Sequence, residues 1–287
     1  MPFAAGGSND LIARLIGEGL AKWLGQPFVP LNRPGANTNT GTLQVVKAPP
    51  DGYTLAMGSF GLAANPSLYR KLPFDPLRDL APITLIATTP SVLVVPPSLP
   101  ASNVSELVAY LKANPGKYNY ASYGVGSSPH LGAELFQLAT GTQLTHVPYS
   151  GGGSAAVGVM ANDVQMLLAG IPALLGLIRG GQLKAIALAA ERRSPLLPEV
   201  PTFLESGLDF RNGPWFGLLA PAKTPEPIIA TLNKATVELL NEPLARARMT
   251  EQGADVVADT PEEFRAFIKD EMERLSVVIR KANIHLD

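Results

Sequence analysis

One local pattern recurs along this chain and restricts its fold more than any other feature. A short apolar run leads into a turn of glycine and serine, and the turn opens a helix. The turns are Ala4-Ala5-Gly6-Gly7-Ser8-Asn9-Asp10, Gly58-Ser59-Phe60-Gly61, Tyr123-Gly124-Val125-Gly126-Ser127-Ser128-Pro129 and Tyr149-Ser150-Gly151-Gly152-Gly153-Ser154. Strands that hand over to helices again and again make an α/β protein with mainly parallel sheet. No fixed-period repeat accompanies the pattern.

The expected elements follow from periodicity. Leu11, Ile12, Leu15, Ile16, Leu20, Trp23 and Leu24 fall on one face of a helix that Ser8 would cap. Strands are expected at 28–31, 53–57, 83–87, 92–95, 118–121, 145–148, 164–168, 185–188 and 215–219. Helices are expected to end near 48 and to cover 102–113, 128–140, 154–160, 173–179, 225–240 and 261–282. The runs at 83–95 and 215–219 are candidates for crossings between two lobes. That predicts a first lobe of 1–95 plus 218–287 and a second lobe of 96–217, with the C-terminal helices returning to the first.

Composition excludes several functions. The chain has 287 residues and a formal net charge of −1, without the basic excess of a nucleic-acid or membrane-surface protein. It has no cysteine, so disulfides, cysteine metal sites and thiol chemistry are excluded. No run of about 18 apolar residues suggests a membrane-spanning helix. The start Met1-Pro2-Phe3 shows no basic region followed by an apolar one, so no secretory signal is read there. The chain reads as beginning inside a structural unit, with a strand expected before Pro2.

Glycine lets the backbone approach a ligand, and exposed N–H groups at a helix start favour an anion. The same turns could equally be plain strand-to-helix connections. There is no phosphate-binding loop of the G-x-x-x-x-G-K-[ST] type, and Gly124-Val125-Gly126 reaches Pro129 where a dinucleotide fingerprint needs glycine. His130 and His146 lack metal-ligand spacing, and no metal or cofactor is expected. Gly152-Gly153-Ser154-Ala155-Ala156 matches a nucleophile elbow only loosely, since Ala156 replaces the last glycine. His130, in the first turn of its helix, reads as a packing or capping residue or as a base. Asp10 reads as a partner of its helix dipole or as a ligand contact. Trp215 and Phe216 read as core aromatics or as cleft lining, and Arg33 as a brace of its own turn or a contact near the ligand.

A set of longer segments resembles the Bug receptors, solute-binding proteins of tripartite tricarboxylate transporters. They include Pro2-Phe3-Ala4-Ala5-Gly6-Gly7-Ser8-Asn9-Asp10, Asn32-Arg33-Pro34-Gly35-Ala36 and Pro49-Pro50-Asp51-Gly52-Tyr53-Thr54-Leu55. Asn65-Pro66-Ser67-Leu68-Tyr69, Tyr120 to His130, His146-Val147-Pro148-Tyr149-Ser150-Gly151-Gly152, Pro198-Glu199-Val200-Pro201-Thr202 and Trp215-Phe216-Gly217-Leu218-Leu219-Ala220-Pro221 complete the set. The resemblance implies a two-lobed, hinged periplasmic-binding-protein-like fold of type II that closes on a small carboxylate. It implies no catalysis, a monomer in the periplasm, a membrane permease as partner and no nucleic acid. It places ligand contacts at Phe3, Ala5, Gly7, Ser8 and Asp10, at Ser59 and Phe60, at Gly126, Ser127 and Ser128, at Ser150 and Gly151, and at Trp215. The segment Met160-Ala161-Asn162-Asp163-Val164-Gln165 departs from the family's Gly-Gly-Gln-Val-Asp pattern. A ligand-responsive partner of a sensor, or a hydrolase using the same turns, would be the alternatives.

Overall fold

Two compact units make up the protein in a computed structural model, which describes residues 8–286. The first comprises Met1–Thr88, Trp215–Val277 and His285–Asp287, and the second Thr89–Pro214 and Val278–Ile284. In chain order the elements are α1 (Ser8–Leu24), α2 (Asn39–Val46), β1 (Ala56–Gly58), α3 (Phe60–Leu68), α4 (Pro76–Asp79) and β2 (Leu80–Thr88). The second unit adds β3 (Ser91–Val95), α5 (Val104–Lys112), β4 (Asn119–Ser122), α6 (Ser128–Thr140) and β5 (Thr145–Pro148). It continues with α7 (Gly152–Met160), β6 (Met166–Gly170), α8 (Ile171–Arg179) and β7 (Lys184–Ala189). The chain then forms β8 (Trp215–Pro221), α9 (Glu226–Asn241), α10 (Pro243–Glu251), β9 (Asp255–Val256) and α11 (Pro261–Lys281).

The division differs from the expected one at both crossings. Strand β2 belongs to one sheet and β3 to the other, so the chain changes unit between Thr88 and Thr89 and not after 95. On the return, Trp215 already pairs with Thr88, which places 215–217 in the first unit. Residues 278–284, expected in the first lobe, group with the second unit.

In the first unit the strand order is β1-β8-β2-β9, and every pairing is antiparallel. The expectation of mainly parallel sheet fails here because the outgoing strand β2 and the returning strand β8 are hydrogen-bonded neighbours that run in opposite directions. Residues 28–31 form no strand either. Pro27 and Pro30 lack the N–H a ladder requires, and Val29 and Leu31 are exposed. Ile12, Ile16 and Leu20 of α1 share one core with Leu232, Ala235 and Leu239 of α9 and with Ile83, Ile86, Phe216 and Leu218 of the sheet. Leu15 and Leu24 of the predicted face pack against that core, but Leu11 and Trp23, expected on the same face, are exposed.

The second sheet has the order β5-β4-β6-β3-β7. Strand β4 is parallel to both β5 and β6, whereas β3 is antiparallel to β6 and β7. Both faces are covered. Leu93 and Val95 of β3 face a core with α5 and α6, and Val92 and Val94 face one with α7 and α8. The period of two in that split is the reason an unbroken run of valines and leucine is stable as a strand.

Candidate functional site

The three parallel strands of the second unit end at one edge, and each end feeds a helix: β4 into α6, β5 into α7 and β6 into α8. Between β4 and β5 the chain steps to one side of β4, and between β5 and β6 it crosses to the other. Helix α6 packs on one face of the sheet and α7 on the opposite face. Such a reversal at the carboxyl end of a strand opens a crevice where ligands bind in α/β sheets.

The starts of these helices share one property. Ser127 precedes α6, Gly151 precedes α7 and Gly170 precedes α8, and none of them makes a side-chain capping bond. None of the three helices has an acidic residue in its first turn. The first N–H groups of a helix lack intrahelical partners, so all three ends carry the positive pole of the dipole, and α6 and α7 carry open donors as well. At α8 the Ile171 N–H already donates to the Pro90 carbonyl at 3.3 Å and Pro172 has no N–H. The neighbouring turns are pinned together, since the Tyr149 N–H donates to the Ser122 carbonyl at 2.9 Å.

Within the 123–128 turn, donors are already partly assigned. The Gly126 N–H donates to His130 Nδ1 at 3.0 Å, and the Ser127 hydroxyl donates to the Gly124 carbonyl at 2.7 Å. That removes the Gly126 N–H from the expected ligand donors. The Ser128 amide, at the open start of α6, has no intrahelical partner. Gly124 and Gly126 have φ values of 114° and 77°, which only glycine adopts without strain. In the next turn, Ser154 Oγ contacts Ser150 Oγ at 3.3 Å and donates to the Gly151 carbonyl at 3.0 Å. Neither contact is a base, so the nucleophile-elbow pattern has no partner for its serine there.

Behind the turn lies a ring stack. His130 and His146 face each other with centroids 4.0 Å apart, and Tyr120 stacks on His146 at 5.0 Å. Ser122 Oγ lies 2.6 Å from His146 Nε2. Burial together with the neighbouring His146 depresses the His130 pKa to about 3, and burial lowers that of His146. Burial pushes the Tyr123 phenol up to about 12. Asn212 Nδ2 reaches the Ser128 carbonyl at 3.4 Å, while Asn212 Oδ1 and the fully buried Ser91 hydroxyl have no partner among the described residues.

The first unit holds the other expected contacts. Phe3, Ala5 and Gly7 lie outside the described residues, as does the side chain of Ser8, the first residue of α1. Asp10 is buried and occupied, accepting from Arg14 Nε at 3.0 Å and from Asn32 Nδ2 at 3.1 Å. It ties α1 to the loop that follows. Ser59 and Phe60 are buried where β1 hands over to α3. Gly58 is paired with Gly217, so that end of β1 adjoins the start of β8, where Trp215 stands. Trp215 is buried edge-on against Phe264 and Phe267, and its Nε1 has no partner among the described residues. Arg33 lines an apolar cavity of about 700 Å³ bounded by Phe28, Leu55, Met57 and Ile228.

Sequence reasoning missed several residues that the fold brings to these turns. Ala36, Asn37 and Thr38 all have positive φ, and Asn65 holds them, donating to the Asn37 carbonyl at 2.7 Å. Ser122 and Asn212 were missed as well. Only Ser122 left a trace in the sequence, as the polar residue that closes a strand before a glycine turn.

Among the described residues no cluster of three or more His, Asp or Glu could hold a metal, and no helix is long and apolar enough to cross a membrane. Open helix starts at a strand-order reversal suit a small anion. Residues 12–284 match the family model described as the tripartite tricarboxylate transporter family receptor, and the chain belongs to that family. It is 39% identical to protein BugT of Bordetella pertussis over 289 residues, covering 100% of this chain and 89% of that protein. Among solved structures it is similar to R. palustris Rpa4515 with adipate, at 33% identity and a TM-score of 0.86, covering 99% of this chain and 96% of that one. It is also similar to MatC (Rpa3494) from Rhodopseudomonas palustris with bound malate, at 35% identity and a TM-score of 0.82, covering 97% and 96%. The family is one of receptors and not of enzymes.

Proposed function

We propose that this receptor works in the periplasm as a monomer, captures a small carboxylate and passes it to the membrane permease of a tripartite transporter. The observation that carries the reading is the set of three helix starts at one sheet edge without side-chain caps or first-turn acids. A carboxylate there completes hydrogen bonds that the protein leaves open and lies at the positive ends of the dipoles. The adipate and malate named for two relatives support a dicarboxylate ligand. The Ser127, Ser128, Ser150 and Gly151 positions would supply the contacts in the second unit. In the first unit, Ser59 and Trp215 are the candidate contacts. Asp10 would act indirectly, by fixing the loop around Asn32.

Binding to the folded state alone raises stability by RT ln(1 + [L]/Kd), about 2.7 kcal/mol at a hundredfold excess over Kd. Malate, adipate, citrate, glutamate and benzoate are therefore to be screened by thermal shift against their amides. A shift from at least one acid and none from its amide is the expected result. Equal shifts from acid and amide would remove the anion site. Recovery of the amides unhydrolysed after incubation separates a receptor from a hydrolase.

A further inference from the structure

We infer that His130 is the positioning residue of the 123–128 turn, and that the turn keeps its ligand-holding shape only while the stacked His130–His146 pair is uncharged. The inference rests on the reading that this turn holds the carboxylate.

The bond that defines the role is Gly126 N–H to His130 Nδ1, 3.0 Å long and buried. Gly126 is the residue at φ 77° that sends the backbone into α6. An amide buried without an acceptor is costly, so the bond holds the turn in this conformation. To accept, Nδ1 must be bare, which places the imidazole proton on Nε2. A second proton would go to Nδ1 and point an N–H at the Gly126 N–H. Two donors then face each other, and the turn must open.

The stack makes such a proton unwelcome. His130 is 4% exposed, and the rings of His130 and His146 lie 4.0 Å apart and nearly parallel. Two cations at that distance repel strongly in a buried setting. Among the described residues the surroundings supply no free counter-charge. From β4 the pair faces Tyr120 and Ser122, and from α6 Glu134, whose carboxylate accepts the Tyr120 hydroxyl at 2.5 Å. The packed elements β6 (Met166–Gly170) and α7 (Gly152–Met160) carry no titratable side chain. Burial already holds both imidazoles below the ordinary histidine range. The sign follows. A depressed pKa means that the folded turn is fully stable above the ordinary value of about 6.5 and loses stability as the pH falls below it.

The test uses the full chain and two variants. In His130→Asn the amide oxygen can stand where Nδ1 stands, so it accepts the Gly126 N–H but does not titrate. His130→Phe keeps a buried ring and has no acceptor. Amide hydrogen exchange at Gly126, relative to its intrinsic rate, reads the turn directly, and calorimetry with malate and adipate reads the site. Protection in the wild type should fall as the pH is lowered from about 7 to about 4, and it should fall less in His130→Asn, where of the pair only His146 still titrates. In His130→Phe, protection at neutral pH and affinity for whichever acid binds should each drop by about tenfold or more, with His130→Asn retaining both. Wild-type protection of Gly126 in His130→Phe, or an unchanged pH profile in His130→Asn, would overturn the inference. If the wild type takes neither acid, the carboxylate reading fails, and the exchange measurements still decide the role of His130.

Discussion

Helices α5 and α6 pack into the same core on the same face of one sheet, yet they begin in opposite ways. Before α5, Asn103 accepts the Glu106 N–H at 2.8 Å, and Glu106 reaches back to the Ser102 N–H at 2.7 Å. Before α6 stands Ser127, also a good capping residue, but its hydroxyl turns away to the Gly124 carbonyl. Both residue types can cap, so the residue alone does not decide. The path of the turn does: with Gly124 and Gly126 at positive φ, the serine side chain is directed back into the turn and the helix amides stay open. The start of α5 is closed by its own side chains, and that of α6 is left open, at a cost of about 1 kcal/mol for the missing cap.

The largest expected effect comes from destroying the turn that keeps α6 open. In Gly126→Val a β-branched side chain is forced to φ 77°, and binding of malate or adipate should be lost in calorimetry. Circular dichroism must show that the variant is folded. Binding retained with normal affinity would mean that the turn is not part of the site.

Next comes giving α7 the cap that α5 has. Gly151 has φ 171°, which any residue adopts, and a Cβ there meets nothing within 4 Å. Gly151→Asp should therefore fold normally and place a carboxylate on the open amides. Stability should rise by about 0.5–1 kcal/mol, while ligand affinity falls by about tenfold or more through competition. A cap that stabilises without weakening the ligand would separate α7 from the site. The opposite change is Asn103→Ala, which removes the cap of α5. It should cost about 1 kcal/mol in urea unfolding and leave affinity untouched.

A smaller effect tests the other boxed start. Helix α11 opens with Thr260 accepting the Glu263 N–H at 3.2 Å while Glu263 accepts the Thr260 N–H at 2.9 Å. Just before it, burial raises the Asp259 pKa to about 6, even though its carboxylate accepts the Leu85 N–H at 2.6 Å. A raised carboxyl pKa means that the folded chain binds the proton more readily than the unfolded one, so stability declines as the pH climbs from about 4 through 6. Asp259→Asn keeps an acceptor and removes the charge. Melting at pH 7 should rise by the equivalent of about 1 kcal/mol or less, after screening of a half-exposed group, and melting near pH 4 should not change. The smallest effect is that of Ser127→Ala and of Arg33→Ala. Each should weaken binding by less than about tenfold, because neutral hydrogen bonds from several amides share the load. A large loss in Arg33→Ala would point to an arginine-anchored carboxylate.

Much of the second unit was legible. Helix α6 and strand β5 have the bounds that capping, proline and periodicity predicted, and the turns after β4 and β5 meet at one edge as parallel strands require. The first unit was less so. Helix α3 went unseen because Pro66 lies inside it, and α10 because its polar sequence has no apolar stripe. The strained run Ala36-Asn37-Thr38 carries no glycine to announce it, since Asn65 from a different helix supplies the hydrogen bond that holds it.

Local sequence by itself determined where α6 starts, brought the starts of α5, α7 and α8 to within two residues and marked the 123–128 turn as one that needs glycine, because those preferences act within a few residues. It determined the family for the same reason: the motifs are short and contiguous. Only the tertiary structure decided which donors remain free. Asp10 pairs with Arg14 and Asn32, and the Gly126 amide goes to an imidazole stacked on a second histidine from a neighbouring strand. A polar atom's availability depends on every acceptor that folding brings within hydrogen-bond reach, and the partner of Asp10 from the following loop is 22 residues away along the chain.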